Sequence, residues 1–294
     1  MKLGLNLSFA VKRWQEPDIL AKMVREDFGI TCVQLSWDQI NPWWPDAARD
    51  RLAEKSAYAF RKEGITITST FGGLASYSYG QLLSASEDER RISLDFLKRA
   101  VDMSVRMGVD TIGTPVGGMS NKDAYDPVSR QKCWQYAVDG IMSLAAYGAQ
   151  QGLKEILIEA TPLETEFPST PDESVRLMKD LEGSAVPVRL LVDWGHALYQ
   201  PLLKEKADME LWLKTCRDFI GAIHLQQTDG KLDRHWGFSQ EGLVTPGYIK
   251  TLAEKTGTED IIQYLEVVPP FEAFDADVYR EIQTSVTILK TVFA

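Results

Sequence analysis

No stretch of this chain approaches the roughly 20 consecutive apolar residues of a membrane-spanning helix, so none is expected. Met1 runs almost directly into the apolar segment Leu3–Leu7, without the charged region, longer apolar stretch and cleavage site of a secretory leader. Cysteine is scarce. The three present (Cys32, Cys133 and Cys216) are odd in number and far apart, and Cys32 sits inside an apolar run. They read as buried thiols of a reducing, cytoplasmic compartment rather than a disulfide framework. Positive charge is in deficit: 32 basic residues stand against 42 acidic ones, a net charge of −10. Nucleic acid and membrane surfaces are therefore not the expected partners, although plain solubility accounts for an acidic excess equally well. Also missing are a Ser/Gly/Pro-rich linker, a charge block, a low-complexity tract and any short repeat. Residues 1–294 accordingly read as a single domain.

What is present is an alternation of short β-rich runs with long helical patterns. Eight runs qualify as strands: Leu3–Leu7, Thr31–Ser36, Thr66–Thr70, Thr111–Thr114, Ile156–Ile158, Arg189–Val192, Gly221–His224 and Ile262–Glu266. Several are apolar throughout, as strands covered on both faces of a parallel sheet must be. Between them, spacings such as Phe96, Ala100, Met103, Met107 and Val278, Ile282, Val286, Leu289 keep one helical face apolar. Gly29, Gly64, Gly108 and Gly152 stand where a helix would end before the next strand. Eight β/α units with no boundary predict an α/β fold closed as a (β/α)8 TIM barrel. The segment after the first strand reads SFAVKRWQEP and lacks the Gly-rich fingerprint of a dinucleotide site.

In such a barrel the chemistry lies at the C-terminal ends of the strands. The fifth run ends in Glu159, the sixth in Asp193 with His196 three residues on, the seventh in His224, and the eighth in Glu266. A single histidine or carboxylate at a strand end is commonly a structural hydrogen-bond partner, a helix cap or half of an ion pair. Here two Glu, one Asp and one His end four successive strands, and all three histidines of the chain (His196, His224 and His235) follow strands six and seven. The coincidence predicts a metal centre of Glu159, Asp193, His224 and Glu266. Three carboxylates and one imidazole suit Mn2+, Mg2+ or Co2+ better than Zn2+, which favours more nitrogen or sulfur.

This pattern of Glu, D-x-x-H, His and Glu on strands five to eight resembles the xylose isomerase-like barrels. Within them it is most similar to the sugar and sugar-phosphate epimerases related to tagatose and psicose 3-epimerases. The resemblance spans essentially the whole chain. It implies that Glu159, Asp193, His224 and Glu266 are metal ligands and that His196 contacts the substrate; Glu159 and Glu266, from strands five and eight, are in turn expected to flank the substrate and alternate as general base and general acid. LSFAVKRW, NPWWP and HLQQTDGKLDRHWGF also resemble the branch of erythrulose-phosphate epimerases. Two positions depart from the ketose epimerases. A Glu six residues after the first ligand is replaced by Thr165, between Glu164 and Glu166, and an Arg six residues after the metal-binding His is replaced by Gly230. The metal site therefore carries over, and the substrate shell does not.

Epimerisation beside a carbonyl needs a proton removed from one face of a carbon and returned to the other, with the resulting enediolate stabilised by a cation. Aldose–ketose isomerisation uses the same intermediate, and so does decarboxylation of a 3-oxo sugar acid. A barrel that binds sugar without catalysis stands as a further alternative. Lys12 and Arg13 follow strand one, and Lys231, Arg234 and His235 follow strand seven. Both loops border the expected mouth, where these residues either hold a phosphate or carboxylate of the substrate or lie as solvated rim charges. Trp14, Trp37, Trp43, Trp44 and Trp236 either cover a sugar's apolar face or pack in the core or between copies of a homo-oligomer. The expected partner is a small sugar or sugar phosphate.

Overall fold

The structure, a computed structural model, describes residues 1–79 and 81–293. Eight strands form the wall: β1 (Lys2–Asn6), β2 (Cys32–Ser36), β3 (Thr66–Phe71), β4 (Thr111–Thr114), β5 (Glu155–Glu159), β6 (Val188–Asp193), β7 (Ile220–Leu225) and β8 (Ile262–Leu265). Every neighbour pairs in parallel, and β8 returns to β1, so the sheet closes on itself. One principal helix follows each strand: α1 (Pro17–Lys22), α2 (Asp46–Lys62), α3 (Glu87–Arg106), α4 (Pro127–Gln151), α5 (Pro171–Asp180), α6 (Met209–Cys216), α7 (Pro246–Thr256) and α8 (Asp275–Leu289). The eight-stranded TIM barrel expected from the alternation is what the chain forms.

Local chemistry sets these boundaries. Ser86, Asp126, Thr170 and Thr245 accept hydrogen bonds from the first-turn N–H groups of α3, α4, α5 and α7, and proline stands in the first turn of α4, α5 and α7. The sequence-expected first strand ended at Leu7. The structure stops it at Asn6, whose side chain accepts the Ser8 N–H and starts a tight turn over Leu7–Ala10. The helix faces read from the sequence are buried as expected, from Phe96 to Met107 and from Val278 to Leu289. Cys32, Cys133 and Cys216 are buried thiols. Among the described residues no helix is long and apolar enough to cross a membrane.

Strand alternation decides which side chains reach the barrel axis, because successive residues point to opposite faces. Ile156, Ile158, Leu190, Val192 and Ile223 pack outward in the large core beneath the helices. Phe71, Leu157, Leu191, Ala222 and Tyr264 form a separate cluster within the barrel. Two residues beyond Leu157, Leu191, Ala222 and Tyr264 stand Glu159, Asp193, His224 and Glu266. All four therefore share the inward face, one layer nearer the C-terminal mouth. The interior is tight: a Cβ on Gly4 would lie 2.5 Å from the Tyr264 ring, so β1 passes that ring only as glycine.

Candidate metal centre

Glu159 ends β5, Asp193 ends β6, and His224 lies beside Asp193 in the parallel register of β6 and β7. Glu266 stands just past β8, its N–H still bonded to the Leu225 carbonyl of β7 (2.8 Å). All four side chains are buried, and one ligand atom from each lies within 4.8 Å of the others. The structure thus brings together the four residues named from the sequence.

Like charges this close to one another and this far from water are costly unless a cation joins them. His224 Nε2–H donates to Gln34 Oε1 (2.7 Å), which leaves Nδ1 facing Glu266 Oε2 (2.8 Å) and Glu159 Oε1 (3.1 Å). Burial alone would lower the His224 pKa. The Glu266 and Glu159 carboxylates overcome it and lift the value to about 10, so in the metal-free chain a proton occupies the space between them. Burial raises the pKa of Glu159. Asp193 Oδ1 accepts the His196 N–H (3.0 Å) and Gln226 Nε2–H (2.9 Å), whereas its Oδ2 is buried with no partner. An orphaned carboxylate oxygen beside a converging imidazole and two more carboxylates is a donor set that fits a divalent cation.

Uncharged side chains from the first three strands complete this layer. Asn6 Nδ2–H donates to Gln34 Oε1 (2.7 Å) and Glu266 Oε1 (3.0 Å), and Gln34 Nε2–H donates to Ser69 Oγ (3.0 Å). Gln226 uses both amide hydrogens, one on Asp193 and one on Asp233 Oδ1 (2.9 Å), and its Oε1 accepts the His235 N–H. That amide packs where a Cβ on residue 195 would stand, at 2.4 Å, so the Gly in D-W-G-H is required by Gln226.

A cavity of about 280 Å3 opens above the cluster. Glu159 and Glu266 lie at its floor, with His196, Asp233 and His235 on one wall and Phe9, Phe71, Leu74, Tyr77 and Phe271 supplying apolar surface. Leu74 and Tyr77 come from the short helix Gly73–Tyr79, whose Leu74 and Ala75 N–H groups donate to Asp38 (2.8 and 2.6 Å). The basic residues named from the sequence do not all meet here. Arg13 lines the cavity but is tied to the Ala273 and Pro270 carbonyls and to Asp275. Lys12 stands over the Phe271 ring (4.7 Å) and lines a neighbouring cavity with Trp14 and Trp44. Arg234 pairs with Asp229 (2.8 Å) above Trp236, and Lys231 is exposed; neither lines the metal-site cavity. Trp37 is fully buried and donates to Thr70 Oγ1 (2.8 Å). Of the two acids flanking Thr165, Glu166 is buried with one oxygen unpartnered, and Glu164 turns outward to the Tyr125 hydroxyl.

Asn6, Gln34, Asp38, Ser69, Tyr77, Gln226 and Asp233 were not singled out from the sequence. Gln34 had a usable signal, a polar side chain in the middle of the apolar run CVQLS. Asp233 stands in the same passage as Lys231, Arg234 and His235, where attention to basic residues passes over it.

Comparison with known proteins places this geometry. A family model described as xylose isomerase-like TIM barrel matches residues 24–280. A D-erythrulose 1-phosphate 3-epimerase of Brucella abortus (strain 2308) is 28% identical over 233 residues, covering 78% of this chain and 74% of that protein. A crystal structure from Rhodospirillum rubrum ATCC 11170, provisionally named a xylose isomerase, superposes with a TM-score of 0.97 at 49% identity, covering 99% of both chains. The D-psicose 3-epimerase of Clostridium cellulolyticum H10, solved with D-tagatose, shares the fold with a TM-score of 0.75 at 15% identity, covering 100% of this chain and 99% of that one.

Proposed function

The chain belongs to the xylose isomerase-like TIM-barrel family, and from that premise we propose that it is a divalent-metal-dependent epimerase of a small ketose or ketose phosphate. One observation carries the reading. Glu159 and Glu266 reach the same His224 nitrogen from two separate strand ends and also face the open cavity, so either can meet a substrate carbon lying above the cluster. The likeness to an erythrulose 1-phosphate 3-epimerase supports inversion at the carbon beside the carbonyl.

Glu159, Asp193, His224 and Glu266 would hold the cation, which Gln34 assists by fixing the His224 tautomer. Bound there, a divalent cation polarises the carbonyl and adjacent hydroxyl oxygens of the substrate and so acidifies the C–H between them. One glutamate takes that proton, and the other returns a proton to the opposite face. Burial raises the Glu159 carboxyl pKa, whereas at Glu266 burial is outweighed by the neighbouring His224 and His235, which lower it, so the two glutamates differ in basicity. Phe9 and Phe71, both buried, supply apolar wall beside the cluster, and His196 lines the same cavity, where it would meet substrate oxygens.

Turnover of D-erythrulose 1-phosphate and of unphosphorylated ketoses in heavy water tests the reading. The product is expected to carry solvent deuterium at the inverted carbon from the first turnovers, with activity lost to a chelator and restored by Mn2+, Co2+ or Mg2+. Full activity in metal-free protein overturns it, as does product that retains its original hydrogen.

A further inference from the structure

We propose that the short helix Gly73–Tyr79 is the wall of the cavity that packs on the substrate, through Leu74 and Tyr77, and that Asp38 is the residue that positions it. At the end of β3 the chain turns on Gly72 and Gly73. A Cβ on Gly72 would lie 2.7 Å from Ser76 Oγ, and one on Gly73, in the left-handed region (φ 53°), would lie 2.5 Å from Asp38 Oδ2. Two glycines thus let the helix start directly against the Asp38 carboxylate. Its seven residues do not hold a helix by themselves, since isolated helices shorter than roughly 12–15 residues are marginal in water. Asp38 supplies what is missing: Oδ2 accepts the Leu74 N–H (2.8 Å) and Oδ1 the Ala75 N–H (2.6 Å), two of the donors that a helix start leaves open. At the other end Gln81 donates to the Tyr77 carbonyl (3.2 Å) and accepts the Gly118 N–H (3.1 Å).

The tethered helix carries an apolar surface that the protein leaves uncovered. Ala75 and Ser76 are buried beneath it, whereas Leu74 is 51% and Tyr77 42% exposed, although both line the cavity. Leu163 and Phe271, on the same cavity wall, are exposed as well. Four large apolar side chains around one opening are covered only when the cavity is filled, and the C–H face of a sugar suits them. The Tyr77 hydroxyl keeps its proton, because partial burial and the Glu159, Glu166, Asp233 and Glu266 carboxylates push its pKa up. It is therefore a donor for a substrate oxygen. Asp38 spends both oxygens on backbone N–H groups and acts through these two side chains. That the occupant is a ketose rests on the epimerase reading; the tether itself does not.

Amide hydrogen exchange and steady-state kinetics test the assignment together, on the full chain loaded with Mn2+. Asp38→Ala should speed exchange at Leu74 and Ala75 by about tenfold or more, as loss of a shared acceptor does, while the Mn2+ affinity stays that of the native chain. With D-erythrulose 1-phosphate or D-tagatose as substrate, KM should rise about tenfold and kcat stay nearly unchanged, because apolar contacts made equally in ground and transition states act on KM. Asp38→Asn, which keeps one oxygen, should fall between. A merely structural role is separated by a cycle: in the Leu74→Ala/Tyr77→Ala chain, adding Asp38→Ala should leave KM where it is, a departure from additivity of the kind that reaches about 2- to 100-fold between coupled residues. A further full rise in that chain overturns the proposal, as does Asp38→Ala protein with native exchange at Leu74 and Ala75. Should Asp38→Ala not fold, Asp38→Asn takes its place in the same cycle. A native chain that turns over neither ketose overturns the epimerase reading, and exchange then decides the tether alone: protection lost at Leu74 and Ala75 in the variant sustains it, and protection retained removes it.

Discussion

The two halves of the barrel mouth differ in kind. The ends of β5 to β8 present Glu159, Asp193, His224 and Glu266, all ionisable, whereas β1 to β3 present Asn6, Gln34 and Ser69 to the same layer, all neutral. Both halves are buried and point inward by the same strand alternation. The charged half holds lone pairs that only a cation or a proton reconciles. The neutral half holds amides that decide which lone pairs those are, since Gln34 takes the His224 Nε2 hydrogen and Asn6 donates to Glu266. The difference separates the candidate cation ligands from the side chains that aim them.

The largest expected effect lies in the charged half. Glu159→Gln and Glu266→Gln should each lower kcat by about 10^2- to 10^4-fold, the usual worth of a positioned acid or base. The two variants should also differ: each is expected to exchange solvent deuterium into one epimer without inverting it, and into opposite epimers. If both exchange the same epimer, the two-base assignment is wrong and the halves differ only in charge.

A smaller effect is expected from the neutral half. Gln34→Met keeps the volume and removes the acceptor of His224 Nε2–H. Metal affinity should fall about 10- to 100-fold, as for other partners of metal-bound histidines. Calorimetric titration with Mn2+ measures it. Unchanged affinity would mean that the neutral half merely fills space.

Proton competition sharpens the same contrast. Despite burial, the His224 pKa is lifted to about 10 by Glu266 and Glu159 in the metal-free chain. The cation must displace that proton, so affinity should be weakest in acid and rise by up to about tenfold per pH unit towards pH 10. The sign for stability follows. A folded-state pKa above the unfolded value of about 6.5 stabilises the metal-free fold fully below that pH and is lost as pH climbs to about 10. Thermal melts in chelator should therefore fall across that window, and metal-loaded protein should not follow them. Parallel curves would remove His224 from the centre.

This contrast also explains what the sequence made legible. The barrel was readable because ILI and LLV have the composition of strands buried on both faces, and helical spacing separates them. The cluster of four was readable because a charged residue ending an apolar run has no packing reason to be there. Asn6 and Gln34 carry no such mark, since a neutral amide in a short strand passes for a satisfied core group until its partner is seen. Arg13 and Arg234 mark the opposite limit. Their loop positions were legible, but not whether each guanidinium is free, because their carbonyl and carboxylate partners are set by the folded backbone.

The smallest expected effects are at the rim, where Arg13 and Arg234 look equivalent in sequence and differ in structure. Arg234 spends its guanidinium on Asp229 in a partly exposed pair and lies 4.8 Å above the Trp236 ring, outside the cavity lining. Arg234→Ala should cost at most about 1 kcal/mol, as exposed pairs do, and leave KM nearly unchanged. Arg13 has a side chain only 7% exposed, and it joins the loop after β1 to the loop after β8 through the Ala273 and Pro270 carbonyls. The second loop carries Val268, Pro269 and Phe271 of the cavity wall. Arg13→Ala strands those carbonyls and should cost about 1–3 kcal/mol, seen as a lower melting temperature. It should also raise KM for phosphorylated and unphosphorylated ketoses alike, because what it loses is the shape of the wall. A rise confined to the phosphorylated substrate, in either variant, would show that the guanidinium leaves its internal partners to meet the phosphate.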